Sequence, residues 1–265
     1  MDHCGGYQDF PFVAAFYDYT LPYQSRPDVA FYVDMARTYG GPVLELGCGT
    51  GRVLIPTAET GVEIVGLDFS EHMLSRCRER LSRQPEEVQA QVSLTQGDMR
   101  AFELGRRFSL ITIPFRPFQH IIETSDQIDC LNAIHRHLKP DGRLVFDLFN
   151  PSIQFLADEK AYNEAGDEPG VDLPDGRIMR RRIRIAARDY YKQISDCELI
   201  YYITHPDGRE ERLVHEFPMR YLFRYEAEHL LVRCGFEIEA LYAGFDRSPF
   251  GSKNPGELIF VAKLV

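Results

Sequence analysis

The chain is short of positive charge. Its 265 residues hold 30 Lys and Arg against 40 Asp and Glu, a formal net charge of −10 with the eight His neutral. Nucleic-acid binders draw much of their affinity from basic side chains that neutralise phosphates. The chain as a whole lacks that footprint, so nucleic acid and anionic membrane surfaces are unfavoured partners. Cysteine is present but carries no spacing signal: Cys4, Cys48, Cys77, Cys130, Cys197 and Cys234 include no C-x-x-C pair. Zinc-site spacing is thereby excluded, and a disulfide framework is out of place in a chain this long. No apolar run approaches 18 residues, so no membrane span is expected. The opening MDHCGGYQDF has no basic region leading into an apolar stretch, as a secretory signal would. The expectation is a reduced, cytoplasmic protein.

What is present is ordinary globular composition, 44% hydrophobic and 26% charged, enough to bury a core. The length suits one large domain or one domain carrying an insertion. From Pro42 to Asn150, short apolar runs alternate with amphipathic stretches. Val43–Leu46 ends at a glycine cluster and Val62–Leu67 ends at Asp68, with a helix over Arg52–Thr60 between them. Ser70 reads as an N-cap for a helix whose Met73, Leu74, Cys77 and Leu81 share a face. Val92 with Leu94, Phe108–Ile113 and Leu144–Phe149 supply three further strands, the last preceded by a helix that Pro140 and Gly142 stop. Strands alternating with helices mean βαβ units and a parallel sheet covered on both faces.

Beyond Asn150 the pattern changes. Residues 151–175 are polar and turn-rich, and 177–222 carry β-branched and aromatic runs separated by turn signals such as Asp207-Gly208. That predicts an antiparallel meander inserted after the fifth strand. A helix near Tyr225–Arg233 and strands at Phe236–Tyr242 and Glu257–Lys263 complete the interrupted sheet.

The most informative segment is Glu45-Leu46-Gly47-Cys48-Gly49-Thr50-Gly51. Alternating glycines let the backbone turn sharply and approach a ligand without a Cβ in the way. Between a first strand and a first helix, the loop lies at the carboxyl edge of the sheet, where open α/β folds bind ligands. Asp68 ends the second strand 21 residues after Gly47, where a carboxylate accepts both hydroxyls of a ribose. Asp98, after the third strand, is placed to accept from an adenine amino group. The dinucleotide fingerprint fails, because Arg52 stands where its third glycine belongs. Glu45 is also foreign to that pattern, since its carboxylate would repel a pyrophosphate. The loop favours an adenosine ligand without phosphate, leaving a nicotinamide-dependent oxidoreductase or a non-catalytic binding protein as the alternatives.

Together, Glu45–Gly51, Gly66-Leu67-Asp68-Phe69-Ser70 and Gly97-Asp98-Met99 resemble, in order and spacing, the first motifs of class I S-adenosylmethionine-dependent methyltransferases. The resemblance implies a Rossmann-like, doubly wound α/β fold. Its sheet would have seven strands in order 3-2-1-4-5-7-6, strand 7 alone antiparallel, with an inserted antiparallel β lid after strand 5. Residues 1–150 and 223–265 would form the cofactor domain and 151–222 the lid. Glu45, Gly47, Cys48 and Gly49 would meet the methionine part of S-adenosyl-L-methionine. Asp68 would hold its ribose, and Phe69, Met73, Asp98, Met99 and Pro114 would surround its adenine and sulfur ends. Tyr17 and Arg26 resemble the N-terminal lid of glycine N-methyltransferases and sugar amine N-methyltransferases, where the Arg pairs with the cofactor carboxylate and the Tyr lies near the methyl. Tyr17 also reads as an aromatic packing a helix on the sheet.

The loop after the fourth strand would open onto the methyl group, which makes Phe115, Arg116, Phe118 and His120 candidates for acceptor contact, with Arg116 meeting an anionic group. His120 is the candidate base, its ordinary pKa lying near neutrality, or else a structural histidine. Phe149 stands where glycine N-methyltransferases carry an Arg, which argues against glycine as acceptor. Asp147 and Asn150 are not adjacent, so no metal is expected. Arg180, Arg182 and Arg184 share one strand face, either as a lid for an anionic acceptor or as a solvated face that blunts an edge. The expected function is methyl transfer to N or O of a small molecule, and a homodimer through the lid is the oligomer the sequence allows.

Overall fold

The structure is a computed structural model that describes residues 5–166 and 169–265, with only the backbone of Leu21 and Pro22. Cys4 lies outside the described residues. The chain begins with short helices α1 (Pro11–Phe16) and α2 (Leu21–Gln24) and a longer α3 (Asp28–Tyr39). The alternating unit follows: β1 (Val43–Leu46), α4 (Leu54–Ala58), β2 (Ile64–Asp68), α5 (Glu71–Leu81), α6 (Glu86–Gln89), β3 (Val92–Gln96), β4 (Phe108–Ile113), α7 (Thr124–His137) and β5 (Leu138–Leu148). After α8 (Ile153–Ala157) come β6 (Val171–Asp172), β7 (Ile178–Asp189), β8 (Ile194–Thr204) and β9 (Glu210–Arg220). Helix α9 (Arg224–Arg233), β10 (Phe236–Tyr242) and β11 (Leu258–Leu264) end the chain.

The strands form two sheets. The larger has seven in the order β10-β11-β5-β4-β1-β2-β3, with β11 antiparallel to both of its neighbours and the rest parallel. This is the expected 3-2-1-4-5-7-6 order. The smaller sheet, β6-β7-β8-β9, is antiparallel throughout and follows strand 5, as the meander expectation requires. It has one more strand than the sequence suggested, because two residues of the polar stretch pair with Met179 and Ile178.

Side-chain alternation explains why the larger sheet is covered on both faces. Leu44, Leu46, Ile111, Ile113 and Phe146 pack with α7 and α9 on one side. Val43, Leu110, Val145 and Ile259 pack on the other with Phe31, Tyr32 and Met35 of α3. Ser70 caps α5 as expected, its Oγ accepting from the Met73 amide. The fifth strand is longer than predicted, starting at Leu138. Pro140 and Gly142 do end a helix, but they sit in an irregularity between the Phe108–Leu138 pair and the resumed pairing of Leu110 with Arg143.

Helix α1 joins the two sheets. Its Phe12 and Phe16 lie in the apolar cluster of the smaller sheet with Tyr201 and Phe217. Its Val13 and Ala14 pack against Met73 of α5 in the larger unit. Both sheets therefore bear on the space beside the carboxyl edge of β1, β2 and β4.

Candidate active site

A cavity of about 640 Å³ opens at that edge, within the range of small-molecule sites. Gly47, Gly49, Asp68, Phe69, Met73, Asp98, Met99 and Pro114 line one half, with Tyr17 beside them. The far half is lined by His120, Ile121, Ile122, Glu123 and Asp126 from the larger unit, and by Asp189, Lys192, Ile194, Asp196 and Pro218 from the smaller sheet.

The first half is built mainly from backbone. Gly47, Gly49 and Gly51 all have positive φ, at 71°, 55° and 80°. A Cβ on Gly47 would stand 2.9 Å from Pro117, whereas one on Gly49 would meet open space. Asp68 is buried and answers two amides: Gly49 N donates to Oδ2 at 2.7 Å and Ser70 N to Oδ1 at 2.8 Å. Burial raises its pKa to about 6, against the downward pull of those two bonds. Each oxygen keeps a lone pair for a further donor. Asp98 is held by Arg100, whose Nη2 lies 2.6 Å from Oδ2, and its pKa is lowered by that guanidinium and amide against the effect of burial.

Glu45 is 2% exposed, and its Oε2 is buried without a hydrogen-bond partner. Desolvation raises its pKa to about 8, with Arg52 opposing. Two amide-bound carboxylates, Asp68 and Asp98, beside a glycine loop suit a ligand that brings hydroxyl and amino donors. This acceptor set fits the adenosine part of S-adenosylmethionine.

Several expected contacts lie elsewhere. Arg26 does not line the cavity; it donates to Asp28 at 3.0 Å and Asp147 at 2.9 Å, because those buried carboxylates require a cation. Arg116 is bonded to Glu257 at 2.7 Å rather than facing an acceptor. Phe118 is 1% exposed in the core against Phe146, so it is no pocket wall. Cys48 is turned into the cluster with Leu54 and Cys77, and Glu45 lies beneath the loop, so neither lines the cavity. Arg180 and Arg184 pair with Glu210 and Glu198, and no residue of the Arg180–Arg184 face lines the cavity.

Phe115 and His120 do line it. Phe115 and Arg116 are adjacent, non-glycine and left-handed, with φ of 69° and 70°, a strain of roughly 1–3 kcal/mol each. No glycine announces that turn. His120 packs edge-on to Tyr7 and Phe217, and its Nδ1 is buried with no partner. Desolvation and the neighbouring His215 lower its pKa to about 4, with the Pro218 carbonyl opposing. It is therefore neutral at pH 7. Tyr17 is desolvated, with Tyr23 adding to the effect, and its pKa is raised, so its hydroxyl stays protonated.

Sequence reasoning missed Tyr7, Ser70 and Arg100, and every lining residue of the smaller sheet. The Asp189–Lys192 turn had one signal, a polar break between β-branched runs, but nothing to say where it would land. Tyr7 belongs to a segment tied across the crevice: Ser70 Oγ donates to its carbonyl at 2.9 Å, while His215 bonds the Gly5 carbonyl at 2.6 Å. Among the described residues no cluster of His, Cys, Asp or Glu could hold a metal ion, and no helix is long and apolar enough to cross a membrane.

Comparison with known proteins agrees with this geometry. The methyltransferase domain family matches residues 43–142. YqeM of Bacillus subtilis (strain 168), named for a methyltransferase, is 31% identical over 265 residues, covering 97% of this chain and 96% of its own. The dTDP-3-amino-3,6-dideoxy-alpha-D-glucopyranose N,N-dimethyltransferase of Streptomyces fradiae is 32% identical over 125 residues, 47% of this chain and 46% of that protein. The CcbJ methyltransferase of Streptomyces caelestis superposes with a TM-score of 0.76 at 24% identity, covering 100% of this chain and 99% of the other. The oxidoreductase alternative falls, and the chain belongs to the S-adenosylmethionine-dependent methyltransferases.

Proposed function

We propose that the chain methylates the nitrogen of a small-molecule amine, with the smaller sheet acting as a lid over the acceptor. The observation that carries this reading is the charge of the cavity wall. Asp68, Asp98, Glu123, Asp126, Asp189 and Asp196 face it, against only Arg100 and Lys192 as cations. Arg100 is itself taken up by Asp98 and Asp126. Such a wall attracts a cationic acceptor and repels a phosphate or carboxylate. The Streptomyces fradiae relative, named for dimethylating an amino sugar, supports the same class.

Bound S-adenosylmethionine supplies a methyl group made electrophilic by its positive sulfur. The chain's own work is to position and to dry the site. Asp68 would hold the ribose hydroxyls, Asp98 the adenine amino group, and Gly47 and Gly49 would admit the amino-acid end. Phe115, Ile121 and Ile122 exclude water from the middle of the cavity. An ammonium acceptor must lose a proton to solvent before its lone pair can attack. His120, neutral because its pKa is lowered to about 4, would not take that proton but would orient the free amine, whose N–H its unpartnered Nδ1 can accept.

The test is a panel of small amines, phenols and carboxylic acids, assayed by release of S-adenosylhomocysteine. Turnover is expected with amines, and the combined Glu123→Gln and Asp196→Asn change should raise KM by about tenfold with little change in kcat. Turnover confined to phenols or acids would sink the amine reading.

A further inference from the structure

Asp147 is the penultimate residue of β5; its side chain is fully buried and does not line the cavity. Its carboxylate joins three elements. Phe115 N donates to Oδ1 at 2.8 Å, the Tyr32 hydroxyl of α3 donates to the same oxygen at 2.7 Å, and Arg26 Nη2 donates to Oδ2 at 2.9 Å. Arg116 Nε stands 3.9 Å from Oδ2. The amide that Asp147 accepts belongs to the first of the two adjacent left-handed residues. Little in the dipeptide favours that conformation, since neither residue is Gly, Asn or Asp. Pro117 only steers Arg116 away from the right-handed helical region. Such a turn persists where its surroundings over-determine it.

The turn reaches the cavity through rings. Phe115 lies edge-on to Tyr23, with centroids 4.8 Å apart, and Tyr23 tilts on Tyr17 at 4.7 Å. Phe115 and Tyr17 both line the cavity. We propose that Asp147 is a positioning residue for the cofactor cavity, fixing the left-handed Phe115–Arg116 turn and, through the Phe115 and Tyr23 rings, the place of Tyr17 in its wall. The proposal rests on the cavity being the S-adenosylmethionine site, which binding by the unaltered chain tests separately.

A rival account gives Asp147 only a charge to balance, because Arg26, Arg52 and Arg116 stand against Asp28, Asp147 and Glu257 in one buried network. Position 116 separates the two. Arg116→Gly and Arg116→Ala each remove one cation, so either restores charge balance beside Asp147→Ala. Only glycine takes positive φ without steric cost.

The experiment is calorimetry with S-adenosylhomocysteine on the full chain, with thermal unfolding in parallel. Asp147→Ala, which leaves no acceptor for the Phe115 amide, is expected to weaken binding by about tenfold or more. With Asp147 in place the clamp holds either residue, so Arg116→Gly and Arg116→Ala should bind alike. In the Asp147→Ala background they should part, glycine binding about threefold or more tighter. The proposal is overturned if Asp147→Ala lowers Tm but keeps the affinity, or if glycine and alanine bind equally well in its background. Should Asp147→Ala alone fail to fold, the charge-balanced double variants still make the comparison.

Discussion

The two halves of the cavity are made differently. The half with Gly47, Gly49 and Asp68 is backbone geometry plus buried carboxylates that answer amides, all from consecutive β-loop-α units. The half with His120, Glu123, Asp189 and Asp196 is side chains from distant segments, two of them exposed at the mouth. A backbone cradle suits a ligand that never changes, whereas a wall of side chains from distant segments can be altered without disturbing the sheet. The first half should therefore govern cofactor affinity and the second turnover and acceptor choice.

His120→Ala strikes that division hardest. Removing the side chain that orients the acceptor amine should lower kcat by about a hundredfold, while S-adenosylhomocysteine binds as before. Steady-state kinetics with calorimetry on the same preparation reads both. A parallel loss of cofactor affinity would mean that His120 supports the crevice through Tyr7 rather than serving the acceptor.

Asp68→Ala probes the opposite half. The carboxylate orders the loop through Gly49 N and would receive ribose hydroxyls, so its loss should weaken S-adenosylhomocysteine by about thirty- to a hundredfold. Retained affinity in calorimetry would show the ribose is held elsewhere.

The same contrast explains what the sequence discloses. The Ser70 cap and the residues of the glycine loop are local consequences of residue type and spacing, the strand order is what the motifs' family resemblance implies, and the loop comes to the cavity because β1 must end there. Arg26 and Arg116 stand off the cavity wall because they pair with residues distant in sequence: Asp147 is 121 residues from Arg26, and Glu257 is 141 from Arg116. No periodicity reports such pairs. The left-handed turn at Phe115 escaped for the same reason, since what holds it is a carboxylate on β5. Asp189 and Asp196 fall within the expected meander, but which turn of a meander overhangs a site depends on how α1 packs between the two sheets.

The gentlest probe of the division is pH. In the ligand-free protein Asp68 has a pKa raised to about 6 by burial. A carboxylate raised in the folded state favours folding most below its unfolded pKa, and that contribution is lost as pH rises through about 6;. Ionising Asp68 thus costs the empty protein stability that ribose donors would return, because hydroxyls donate best to the charged form. Binding should release a proton near pH 6, and affinity for S-adenosylhomocysteine should fall by about tenfold for each unit below it. Calorimetry in buffers of different ionisation enthalpy counts that proton directly. Asp68→Asn should flatten the profile while leaving it weak throughout, and an unchanged slope would move the titration to another group. Acceptor-side variants such as Asp196→Asn should leave this limb where it is, since Asp196 stands on the smaller sheet and not among the partners of Asp68.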